Sequence, residues 1–187
     1  MLCEEAKRFH YLLCLAAQRK GMVINMNKMD ILKLLDSKNI PYEVTEHDAV
    51  YTIEDMLAAG IPHPKTIAKN LFVRDDKKRN YYLITVLENK RVDLKHFAEK
   101  YGTRKLSFAS ENDLMDILGL IKGAVTPFGL LNDTDHCVKF YLNSDFKNGI
   151  LGIHPNDNTA TVSMKTEDLV SLLADKGYET EWIDILS

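Results

Sequence analysis

Cysteine is scarce: the 187-residue chain has three, Cys3, Cys14 and Cys137. They form no Cys-x-x-Cys pair and are odd in number, which predicts neither a disulfide framework nor a thiolate zinc site. A reducing cytoplasm fits that pattern. Long apolar runs are also missing. Leu12-Leu13-Cys14-Leu15-Ala16-Ala17 is too short to span a bilayer, and it follows Glu4 and Glu5 rather than the basic start of a secretory signal. No membrane partner is expected. The familiar catalytic signatures are absent as well: there is no Gly-x-Ser-x-Gly elbow, no His-Glu-x-x-His, no Gly-x-x-x-x-Gly-Lys-Ser/Thr and no Gly-x-Gly-x-x-Gly. His47, His63, His96, His136 and His154 lie far apart in sequence, so nothing proposes a metal or another cofactor.

What is present is ordinary for a globular chain with a sizeable core, 45% hydrophobic and 27% charged. No repeat, low-complexity run or Pro/Gly/Ser-rich linker divides it. One domain is expected over residues 26–187, preceded by an extension over residues 1–25. Arg19-Lys20-Gly21 can be encoded by a purine-rich run resembling a ribosome-binding site, and Met22, Met26 and Met29 follow it. The extension is therefore read as a start-site artefact or an accessory helix.

The net charge of −3 argues at first against a nucleic-acid partner, but the charges are segregated. Between His63 and Lys105 there are 12 Lys/Arg against 5 Asp/Glu, leaving −10 on the remainder. A local basic excess attracts phosphate even in an acidic chain. Basic side chains on a solvated face would give the same count.

Helical spacing of Ile31, Leu34 and Leu35 predicts a helix to Lys38, and Pro41 then starts an extended run through Tyr42-Glu43-Val44. Thr52 and Asp55 suit a capping box for a helix through Ala59. Leu71-Phe72-Val73 and Tyr81 to Val86 flank a polar connection, which predicts a β-hairpin. Asp93 caps a helix ending near Tyr101, and Ser110 with Asp113 caps another ending at Leu118-Gly119. Residues 138–142, 149–154 and 159–164 read as strands. Thr166 opens a last helix to Lys176, and Tyr178 to Ile183 closes as a strand. The expected class is α/β, a single domain with a mixed, partly antiparallel, barrel-like sheet surrounded by helices.

Three segments stand out. Lys69-Asn70 places a cation and an amide at the mouth of an apolar strand, although a plain strand start reads the same way. Gly119 to Leu130 is rich in glycine and apolar residues, so its backbone N–H groups could bind a carbonyl or oxyanion; equally, Val125, Phe128 and Leu130 could simply pack it on the core. His154 ends a strand before a polar turn and the Thr159/Thr161 strand, where an imidazole often just satisfies backbone groups.

Taken in order, His47-Asp48-Ala49-Val50-Tyr51-Thr52, Lys69-Asn70-Leu71-Phe72, Lys105-Leu106-Ser107-Phe108-Ala109-Ser110, Gly123 to Leu130, and His154-Pro155 with Asn158-Thr159-Ala160-Thr161 resemble the YbaK and prolyl-tRNA synthetase editing-domain superfamily, within it the free-standing PrdX or ProXp-ala branch. The resemblance spans nearly all of Met29 to Ile185. It implies a compact α/β domain that hydrolyses the ester joining a wrong amino acid to the tRNA 3′ end, with the tRNA acceptor end, tRNA(Pro) favoured, and prolyl-tRNA synthetase as partners. By likeness, Lys69 is the family's critical lysine and Asn70 its pocket neighbour. Gly123 to Pro127 is the Gly-x-x-x-Pro loop, His154 the pocket histidine, and Arg104 an arginine that helps hold tRNA.

An aminoacyl ester is already activated, so its hydrolysis needs a positioned water and a polarised carbonyl more than a strong nucleophile. On that reading Lys69 holds a phosphate or sugar oxygen, and the N–H groups of Gly123 and Ala124 face the carbonyl. His154, Thr159 and Thr161 contour the amino-acid pocket, while Ile153 and Val125 limit its depth. Thr52, Pro127, Phe128 and Asn158 complete the substrate-binding set. Alanine is the expected amino acid, because a proline pocket cannot strongly reject a smaller side chain when each methylene is worth about 1–3 kcal/mol. Deacylation of cysteinyl or seryl esters, and a non-catalytic tRNA- or synthetase-binding module, are the alternatives.

Overall fold

The computed structural model describes residues 25–48 and 64–185. The capped helix expected from Thr52, and all but the last residue of the expected extension, lie outside them. Helix α1 (Lys28–Ser37) is closed by a capping box between Asn27 and Asp30 and buries Ile31 and Leu35. Strand β1 (Tyr42–Glu46) follows. After a 3₁₀ turn over Pro64–Thr66, β2 (Ala68–Asp75) and β3 (Tyr81–Leu87) form the expected antiparallel hairpin. Helix α2 (Leu94–Lys100) starts on Asp93, whose carboxylate accepts the N–H groups of Lys95 and His96. Next comes the short strand β4 (Leu106–Phe108). Helix α3 (Glu111–Leu118) has the Ser110/Asp113 capping box and ends on left-handed Gly119. The remaining elements are β5 (Val138–Asn143), β6 (Ile150–Ile153), β7 (Ala160–Lys165), α4 (Thr166–Ala174) and β8 (Thr180–Ile183).

The strands form two sheets, β1-β7-β6 and β4-β2-β3-β5-β8. Within the larger, β5 runs parallel to both β3 and β8, so it is mixed as expected. No barrel closes among the described residues; the two sheets meet through a parallel bridge between Ile67 and Gly152. The larger sheet is buried on both faces, which is why Tyr81 to Val86 reads as an unbroken apolar run rather than an alternation. On one face Phe72, Leu83, Phe140 and Leu142 pack with α1, α3, α4 and the underside of the small sheet. On the other, Leu71, Val73, Ile84, Val86 and Tyr141 pack against Phe97 and Ala98 of α2.

Two expectations change. Cys137 is disulfide-bonded, where the number and spacing of the cysteines predicted no disulfide framework. Gly119 to Leu130 is more than a connection. Pro127–Asn132 is a 3₁₀ helix, and Asn132 braces its end by donating to Leu118 O (2.8 Å) while its Oδ1 accepts Met26 N–H (2.8 Å).

The neighbouring Asp133 is a buried hub. Its carboxylate accepts the N–H groups of Cys137 (3.1 Å) and Val138 (2.9 Å) and the Tyr178 hydroxyl (2.8 Å). Asp133→Ala orphans those three donors and is expected to cost about 2–3 kcal/mol of unfolding free energy. Urea denaturation measures it, and a loss below about 0.5 kcal/mol, the range of neutral surface changes, would contradict the hub.

Candidate functional site

Strand alternation splits the Lys69-Asn70 pair between the two faces of β2. Asn70 is a brace: its amide nitrogen donates to Val125 O (2.9 Å) and its oxygen accepts the Thr85 hydroxyl (2.7 Å), tying the glycine loop to the hairpin. Lys69 projects from the other face, with Ile67 and Leu71. Its ammonium donates to the carbonyls of Glu88 (2.7 Å) and Lys90 (2.5 Å) in the turn that follows β3. That turn is anchored in its own right, since Lys90 Nζ pairs with Asp145 at 3.1 Å. Two of the three ammonium donors are therefore fixed, and one remains for a ligand oxygen.

Ile67 links this lysine to the small sheet. A Cβ on Gly152 would come within 2.6 Å of Ile67 Cδ1 and 3.3 Å of Thr161 Cγ2, so the absent side chain is what admits Ile67 beside the β6–β7 pair. Registers put Thr45, His47, Thr159, Thr161, Ser163, Gly152 and His154 on one face of this sheet, a polar surface opposite its core face. His154 Nδ1 donates to Ala160 O (2.9 Å), which fixes the tautomer and leaves Nε2 as an acceptor. Burial, opposed by the Ala160 hydrogen bond, holds its pKa below the ordinary value, with smaller and opposite contributions from His47 (lowering) and Asp157 (raising). His47 is held in the same manner: Nδ1 donates to Asp48 O (2.8 Å) and Nε2 accepts the Thr161 hydroxyl (2.9 Å). The two imidazoles lie 6.2 Å apart.

His47 belongs to the first of the family-like segments but not to the expected site. Its membership depends on β1 pairing with β7, a contact spanning more than a hundred residues, although its position one residue beyond β1 on the Thr45 side carried the signal. Glu88 was missed too, for it has no motif around it. Its half-buried carboxyl is raised in pKa by burial, with the Lys69 charge opposing.

The glycine loop needs one correction. Gly123 sits at φ +91°, the left-handed third position of a turn in which Ala124 N–H donates to Ile121 O (3.1 Å). Ala124 therefore cannot offer that N–H to a carbonyl. Among the described residues nothing accepts the N–H groups of Gly123 or Val125. Pro127 and Phe128 are buried and Thr126 caps the 3₁₀ helix, so these three support the loop from beneath rather than lining it. Ile153 is likewise a core residue (2% exposed). Asn158 and Thr159 lie in the turn before β7, where Asp157 accepts the Thr159 N–H and hydroxyl. Thr52 lies outside the described residues.

Arg104 is not brought to Lys69. It forms a two-point pair with Asp76 (2.6 and 3.0 Å) at the far end of β2, about 20 Å away at 3.3 Å per residue. The basic excess is also partly neutralised, because Arg74 pairs with Asp113 and Lys90 with Asp145. Lys77, Lys78, Arg79, Lys95 and Lys105 remain on the surface. Among the described residues no three His, Cys, Asp or Glu side chains converge as a metal site.

The aminoacyl-tRNA editing domain model matches residues 47–172, a span that contains Lys69, the glycine loop and both imidazoles. The prolyl-tRNA editing protein ProX of Acetoanaerobium sticklandii is 41% identical over 159 residues, covering 84% of this chain and 97% of that protein. The mouse prolyl-tRNA synthetase associated domain-containing protein 1 is 35% identical over 158 residues, covering 81% and 92%. A solved structure described as a candidate trans-editing enzyme for prolyl tRNA synthetase shares the fold at TM-score 0.64 and 20% identity, covering 86% and 96%. The chain belongs to the aminoacyl-tRNA editing domain family.

The half-buried imidazole makes stability depend on pH. His154 takes up a proton less readily folded than unfolded, so unfolding free energy is expected to fall as pH drops below the ordinary 6.5. His154→Asn keeps a donor toward Ala160 O and removes the titration. Urea unfolding between about pH 5 and 8 should show a flatter dependence for the variant. Superimposable pH profiles would contradict the assignment.

Proposed function

We infer that this protein is a trans-editing hydrolase that removes a mischarged amino acid from tRNA(Pro), alanine by preference. The observation that carries the reading is the seam where the Lys69 ammonium, one donor open, and the neutral His154 lie on either side of the Ile67–Gly152 contact. Extensive identity to a prolyl-tRNA editing protein supports it.

In this mechanism the third N–H of Lys69 holds a phosphate or sugar oxygen of the terminal nucleotide. The unengaged N–H groups of Gly123 and Val125 face the ester carbonyl and stabilise the oxyanion that develops there. Asn70 fixes how far that loop stands from β2. A terminal ribose hydroxyl helps to orient the attacking water, so no protein nucleophile is required. His154 and the Thr159/Thr161 edge form the wall that admits alanine and refuses proline. The exposed basic side chains from Lys77 to Lys105 receive the acceptor stem. The substrate places the protein in the compartment of translation, the cytoplasm, with prolyl-tRNA synthetase as the source of its substrate. No described helix is long and apolar enough to cross a membrane.

Deacylation assays with tRNA(Pro) carrying Ala, Cys, Ser or Pro test this. The Ala ester is expected to be cleaved fastest and the Pro ester to be spared. Cleavage of the Cys ester alone would move the chain to another specificity, and no cleavage of any ester would remove the enzyme reading.

A further inference from the structure

Glu88 continues the hairpin one step beyond its ladder: its N–H donates to Ile67 O (3.0 Å). Directly opposed residues of an antiparallel pair project to the same face, so Glu88 shares the face of Ile67 and Lys69. Lys69 bonds the Glu88 carbonyl and leaves the carboxylate untouched. Among the described residues that half-buried carboxylate makes neither a hydrogen bond nor an ion pair. A carboxylate left unpaired in a half-buried place costs free energy unless something supplies a partner.

Resting on the deacylase reading, the substrate supplies one. An aminoacyl ester carries the phosphates of its terminal nucleotides and, at the other end, an α-amino group, which in unmodified chains titrates near 7.7–8.0 and is largely cationic at neutral pH. Lys69 repels that cation. His154 has its one proton engaged on Ala160 O, and both nitrogens of His47 are engaged. Asp157, the carboxylate that acts on His154, is already bonded by the Thr159 N–H (2.8 Å) and hydroxyl (2.6 Å). A cation and an open anion side by side, Lys69 and Glu88, match the charge order of the ester. We propose that the Glu88 carboxylate receives the α-ammonium group of the aminoacyl ester, so that the site selects esters with a free amine.

The test compares two esters on tRNA(Pro): alanyl, and lactyl made by deaminating it, which replaces the ammonium with a hydroxyl. Comparing variant with wild type on each ester cancels their different intrinsic lability. Glu88→Gln is expected to lower kcat/KM about tenfold or more on the alanyl ester and to leave the lactyl ester within about twofold. Glu88→Asp, which keeps the charge, should restore part of the alanyl activity. Equal losses on both esters would make Glu88 a mere support for the Lys69 turn and overturn the proposal, as would no loss on either. The selective loss appearing in Asp157→Asn instead would overturn it in favour of Asp157. Wild-type inactivity on both esters would sink the deacylase reading itself.

Discussion

The close approach of Ile67 to Gly152 governs how this molecule holds a site. Beyond one parallel bridge the two sheets do not share a ladder, and they meet where an isoleucine occupies the space a glycine leaves open. The contact lines up two faces that would otherwise be unrelated: the Ile67–Lys69 side of β2 and the polar face of the small sheet. A larger residue at 152 would push Ile67 away and disturb how the two faces meet.

The chemistry at that seam follows from fixed donors and acceptors. Two backbone carbonyls hold the Lys69 ammonium, one carbonyl sets the His154 tautomer, and an amide clamps the glycine loop through Val125. These positions are determined before any ligand arrives, which suits cleavage of a bond that is already activated. Arg104, farther out, is paired with Asp76 on the surface.

Local physics made much of this legible. The caps at Asp93 and at Ser110/Asp113 announced two helices, and the apolar runs on either side of residues 75–80 announced the hairpin. β4 escaped notice because three residues with Ser107 and Phe108 exposed carry no alternation. The 3₁₀ helix over Pro127–Asn132 escaped because it depends on the Thr126 cap and on Asn132 reaching Leu118. At the site, neighbours in sequence misled: Lys69 and Asn70 look like one unit, yet they face opposite ways, and Ala124 looks like a donor but closes a turn. His47 and Glu88 needed cross-strand pairing to be seen. The acidic total likewise concealed a basic segment, and the fold then showed that part of the segment is internally paired.

The central claim is that Lys69, held on the carbonyls of residues 88 and 90, makes this seam a hydrolytic site. Its most direct measurement is the single-turnover deacylation of Ala-tRNA(Pro) by Lys69→Met beside the wild type, with urea unfolding of both. The account expects a rate lower by about a hundredfold or more with nearly unchanged stability. A variant that keeps its fold and cleaves within a few-fold of the wild-type rate would contradict it.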